Sequence, residues 1–80
     1  MTSTKRRATS HQIKAEMVAS VLEVRVEAGR RVQPGETLLL LESMKMEIPV
    51  LADVAGTVSA VTVATGDVVQ EGDPLVVLDL

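Results

Sequence analysis

The sequence predicts an all-β domain, a flattened β-barrel or sandwich built from two four-stranded antiparallel sheets. Three observations predict it: a purely aliphatic composition, a motif written twice, and short apolar runs punctuated by glycine. Val, Leu and Ile fill 25 of the 80 positions and no residue is aromatic, so the core must be thin and aliphatic. β-Branched valine suits a pleated, half-buried surface. A chain of 80 residues supports one small domain. With no cysteine it has neither a disulfide staple nor a cysteine metal site. That absence fits a reducing, cytoplasmic location.

The repeat appears when the chain is slid by 37 positions. Residues 13–42 set against 50–79 give ten identities in thirty pairs, among them Val21/Val58, Gly29/Gly66, Gln33/Gln70, Gly35/Gly72 and Leu41/Leu78. Glu16/Asp53, Glu36/Asp73 and Glu42/Asp79 keep their charge. A Val- and Leu-rich chain produces chance matches, but not two glycine pairs, a glutamine pair and three acidic pairs in one register. One half cannot bury its apolar face alone, so the two halves are expected to pack face to face about a pseudo-twofold axis.

Each half reads as four strands in the same order. The first spans Ile13 to Met17, matched by Val50 to Val54. The second alternates in polarity from Val21 to Val26, matched by Val58 to Val63. A short segment around Val32, matched by Val69, lies between two glycines six residues apart, Gly29 and Gly35 or Gly66 and Gly72. Glycine at such places supplies turn conformations that other residues adopt only at a cost. The last strand is apolar, Leu38–Leu41 and Leu75–Leu78, with Pro34 and Pro74 at turns or strand starts where a missing N–H does little harm. These two runs are apolar on both strand faces. Neighbouring turns are expected to cover the outward side chains; the alternative is a partner surface.

Charge is unevenly placed. Residues 1–11 carry Lys5, Arg6 and Arg7 and no acid, whereas the remainder holds five basic and eleven acidic residues. The basic stretch reads as a disordered tail ahead of a domain over 12–80. An acidic body without aromatics is poorly suited to stacking bases or tracking phosphates, so nucleic acid is not an expected partner. No apolar run approaches the roughly 20 residues of a membrane span, so a membrane partner is not expected either. The tail lacks the apolar segment of a secretory signal. No Walker-type glycine loop and no Ser/His/Asp set is present, and the lone histidine, His11, falls in the tail, where solvation is the ordinary expectation. The chain therefore reads as no independent enzyme.

One place breaks the local rules. Strands Thr37–Ser43 and Met46–Ala52 are separated only by Met44-Lys45. A two-residue hairpin turn asks for Asn-Gly or a similar pair, because both central residues need positive φ. Met and Lys suit that geometry badly, and two methionines stand where a solvated turn is normally polar. An ordinary longer loop with its methionines folded back is the usual reading of such a tip. Here the tip falls at the join of a duplicated domain, flanked by Glu42 and Glu47, and a local rule broken at one defined place points to function. By the pseudo-twofold axis, Lys45 should project from the end opposite the chain termini, a placement suited to entering other proteins' active sites.

The stretch Glu42-Ser43-Met44-Lys45-Met46-Glu47 resembles the attachment motif Glu-Ala/Ser-Met-Lys-Met-Glu of the biotinyl domains of biotin carboxyl carrier proteins. Val54-Ala55-Gly56-Thr57-Val58, Gly66-Asp67 and Gly72 resemble that family's second half, and the likeness spans about residues 12–80. It is strongest to the small stand-alone biotinylated proteins and to the carrier segments of acyl-CoA carboxylases. The resemblance implies a barrel-sandwich hybrid fold with biotin joined covalently to Lys45 at the hairpin tip, and Glu42, Met44 and Met46 helping a biotin protein ligase choose that lysine. It implies a non-catalytic carrier that shuttles a carboxyl group from a biotin carboxylase to a carboxyltransferase, the cofactor carrying the chemistry. Two departures stand out. The family's Met-Pro-Gly-Thr/Ser turn is replaced by Met17-Val18-Ala19-Ser20, and the protruding thumb of some bacterial carriers is missing. Lipoyl domains share the fold but present Asp-Lys-Ala at the tip, so Met-Lys-Met favours biotin. An unmodified interaction module is the remaining alternative.

Overall fold

The computed structural model describes residues 10–80. Eight strands follow in order: β1 (Ser10–Lys14), β2 (Ala19–Val24), β3 (Arg31–Val32), β4 (Thr37–Ser43), β5 (Met46–Leu51), β6 (Gly56–Val61), β7 (Val68–Val69) and β8 (Pro74–Asp79). They form two antiparallel four-stranded sheets, β1-β8-β6-β3 and β5-β4-β2-β7. A shift of 37 residues carries the strands of one sheet onto those of the other in the same order. No helix among the described residues is long and apolar enough to cross a membrane.

The halves interlock rather than stack. Each sheet takes two strands from each half, which corrects the expectation of two halves packed face to face. Backbone hydrogen bonds that run between the halves in symmetric pairs hold this arrangement. Ala15 N–H donates to the Asp73 carbonyl at 2.9 Å, and Ala52 N–H donates to the Glu36 carbonyl at 2.9 Å. Val21 N–H reaches the Asp67 carbonyl at 2.7 Å, as Val58 N–H reaches that of Arg30 at 2.8 Å. Neither half can satisfy its own backbone, and leaving such groups unpaired is costly. Strands β1 and β5 end earlier than expected, at Lys14 and Leu51, where Ala15 and Ala52 make a last bond to the residues just before the neighbouring strands β8 and β4.

Bulges also obey the repeat. Register shifts between Val21 and Glu23 in the β2–β4 ladder, and again between Val58 and Ala60 in β6–β8. The extra residues are Leu22 and Ser59, and both are exposed. A bulge resets which residues face inward, so Val21 and Val26 are both buried although they lie five apart. A second pair of shifts falls at Leu38 and Leu75. There two consecutive residues are buried on each strand, Leu38-Leu39 and Leu75-Val76. The bulge thus accounts for the consecutive buried residues in each apolar run. The core is aliphatic throughout, and no polar or charged side chain among the described residues is buried.

The tail boundary is also corrected. Ser10 and His11 belong to β1, paired with Asp79 and Leu78 of β8. The His11 ring is not merely solvated: its Nε2 lies 2.9 and 3.2 Å from the two carboxylate oxygens of Asp53. That bond and the β8 ladder draw the strand two residues further back than composition suggests. The rest of the expected tail, residues 1–9, lies outside the described residues.

Candidate functional site

Strands β4 and β5 form a hairpin whose register runs Ser43↔Met46, Glu42↔Glu47, Leu41↔Ile48, Leu40↔Pro49 and Leu39↔Val50. Only Met44 and Lys45 remain for the turn. Their φ angles are 54° and 66°, and they are the only non-glycine residues with positive φ among those described. The left-handed region costs an L-residue roughly 1–2 kcal/mol, so the tip holds strain that the ladder must impose. Buried Leu39 and Leu41 anchor β4 beneath it. Pro49 does no damage, because β5 is an edge strand and needs no donor on its open side.

The side chains at the tip are displayed. Met44 is 90% exposed and Met46 60%, and Lys45 is exposed between them. Lys45 takes part in none of the three ion pairs among the described residues, so its amine is not held by a neighbouring acid. Glu42 and Glu47 stand directly opposite each other two residues below the turn, both exposed. Like charges facing across a ladder are destabilising, and neither glutamate has a basic partner in those ion pairs. All the residues singled out from sequence, Glu42, Met44, Lys45 and Met46, therefore meet at one hairpin end.

The opposite end holds the outer ends of β1 and β8. His11 on β1 reaches Asp53, which follows Ala52, and Ala52 is bonded to Glu36 at the foot of the β4–β5 hairpin. Ser10 pairs with Asp79 at that same end. Lys45 thus projects away from both termini of the described chain, as the pseudo-twofold axis predicts.

Sequence reasoning gave no role to the segment between β1 and β2. The Ser43 hydroxyl donates to the Val18 carbonyl at 3.3 Å, which sets Met17-Val18 beside the hairpin tip. Both are exposed, at 37% and 56%. The departure at Met17-Val18-Ala19-Ser20 from the expected Met-Pro-Gly turn was the available signal.

Comparison with known proteins agrees with this geometry. Residues 11–78 match the family described as biotin-requiring enzymes. The chain belongs to this family. It is 58% identical over 69 residues to a biotinylated protein homologue of Mycobacterium leprae, covering 86% of this chain and 97% of that protein. It is 42% identical over 66 residues to the biotin/lipoyl attachment protein of Bacillus subtilis, covering 82% and 90% respectively. Among solved structures, a single-chain, multi-domain long-chain acyl-CoA carboxylase superposes with a TM-score of 0.84 at 32% identity. That match covers 96% of this chain but only 8% of the carboxylase. The chain is thus a biotinyl domain with biotin as its cofactor, and the tip fits the group. An amide to biotin needs an accessible primary amine in a reproducible backbone setting, and the hairpin turn offers one.

Proposed function

We propose that biotin is attached to the Nζ of Lys45 and that the domain is a non-catalytic carboxyl carrier of an acyl-CoA carboxylase. The observation that carries the reading is the strained two-residue turn, which puts one exposed, unpaired amine at the apex of a rigid hairpin. A flexible loop would present the lysine from many backbone positions; a ladder fixed to buried Leu39 and Leu41 presents it from one. Met44 and Met46 supply soft, adaptable apolar surface on either side. Together with Glu42 they are the residues by which a biotin protein ligase picks out Lys45.

Once bound, biotin supplies the ring on which a carboxyl group travels from a biotin carboxylase to a carboxyltransferase. The chain's own contribution is display and reach. The hairpin end faces away from the described termini, and its exposed methionines offer apolar surface to an enzyme's cleft. Tethering raises the effective concentration of the cofactor at both enzymes, to millimolar levels for short flexible links. A cytoplasmic setting accords with a chain lacking cysteine. Lys45→Arg tests the reading: it keeps the charge and bulk and is expected to lose biotin attachment with an unchanged melting temperature. Attachment that persists in that variant would place the site elsewhere.

A further inference from the structure

Among the described residues eight large apolar side chains are exposed, and four of them, Met17, Val18, Met44 and Met46, meet at the Lys45 end. The four come from two segments distant in sequence. The Ser43 hydroxyl, next to Met44, joins them through the Val18 carbonyl. Exposed apolar residues scattered singly need no explanation, but a cluster of them beside a reactive group marks an interaction surface. Its edge is acidic, because Glu42 and Glu47 face each other across the hairpin without a basic partner in the described ion pairs. Such an arrangement destabilises the free domain and is relieved by a cationic partner.

We infer that Met17-Val18 is a specificity-determining segment for the biotin protein ligase, continuing the apolar surface of Met44 and Met46 on which that enzyme seats the hairpin. The inference rests on the assignment of biotin to Lys45. Reach selects the ligase over the carboxylase. An enzyme that acylates Nζ must come within one lysine side chain of the turn, which brings it against whatever flanks the turn. An enzyme acting on the biotin ring stands further out by the whole acyl chain of the cofactor. Only the ligase is therefore forced onto Met17 and Val18. Its complementary surface is apolar at the centre, with basic side chains placed to meet the Glu42–Glu47 edge.

The test is steady-state biotinylation of the full chain by a biotin protein ligase with ATP and biotin. Val18→Ser and Met17→Ser are compared with the unsubstituted chain. Val18→Leu serves as an apolar rescue, and Leu80→Ser as a control on an exposed apolar residue at the far end. Each serine variant is expected to raise KM for the domain by a factor of about three to ten. Val18→Leu and Leu80→Ser are expected to stay near the unsubstituted value, with melting temperatures close together throughout. Equal kcat/KM for all variants would overturn the docking inference while leaving the Lys45 assignment intact. A Val18→Leu loss as large as that of Val18→Ser would also overturn it, because shape rather than apolar contact would then be decisive. Failure of the unsubstituted chain to be labelled would instead remove the reading on which the inference rests.

Discussion

Replacing Met44-Lys45 by Asn-Gly should make the domain more stable while abolishing its function. Both residues sit in the left-handed region, at φ 54° and 66°. Relieving roughly 1–2 kcal/mol at each position releases about 2–4 kcal/mol. Glycine returns about 0.5–1 kcal/mol through the greater freedom of the unfolded chain, and asparagine still carries part of the left-handed cost. Little packing is lost, because Met44 is 90% exposed and Lys45 makes no ion pair among the described residues. The net gain is about 1–2 kcal/mol. For a domain of this length each kcal/mol moves the melting temperature by about 4–8 °C, so a rise of about 5–15 °C is expected. Thermal unfolding followed by far-ultraviolet circular dichroism, on unbiotinylated samples of both proteins, reads it. An unchanged or lowered melting temperature with the native spectrum retained would refute the claim that the tip holds strain.

Gly56→Ala should destabilise the domain by about 1–3 kcal/mol, seen as a fall in the midpoint of urea unfolding. A Cβ there would lie 2.7 Å from the backbone oxygen of Asp79, an atom that cannot swing aside. Leu75→Ala, which empties a fully buried position in the β8 bulge, should cost about 2–5 kcal/mol in the same measurement. His11→Ala should cost only about 0.2–1 kcal/mol, because its bond to Asp53 is largely exposed, with side chains 34% and 64% accessible. A loss comparable to that of Leu75→Ala would show that the bond, and not the β1–β8 ladder, holds the first strand.

The repeat made most of the architecture legible. Pairing Ala15 with Ala52 and Gly35 with Gly72 anticipates hydrogen bonds that recur 37 residues apart, such as Gly35 N–H to the Ala52 carbonyl and Gly72 N–H to that of Ala15, both 2.8 Å. The exchange of strands between sheets was not legible, since apolar alternation says which face is buried but not which strand lies alongside. The bulges escaped for a related reason: Leu22 and Ser59 share no chemistry, although they occupy equivalent places in the two ladders. At the tip, the conflict between a two-residue turn and the pair Met44-Lys45 marked in the sequence the two non-glycine residues that the structure holds at positive φ among those described. The approach of Val18 to Ser43 is a tertiary contact across 25 residues, and its one trace in the sequence is the unusual turn Met17-Val18-Ala19-Ser20, which marks the segment but not its partner.

The central claim, that Lys45 carries the biotin, is tested most directly by mapping the adduct. The chain holds three lysines, Lys5, Lys14 and Lys45, so the outcome is discriminating. After co-expression with a biotin protein ligase and biotin, intact mass should show one added biotinyl group, and peptide mass spectrometry should place it on Lys45 alone. Biotin on Lys14 or Lys5, a lipoyl group on Lys45, or no adduct with either cofactor and its ligase would contradict the account.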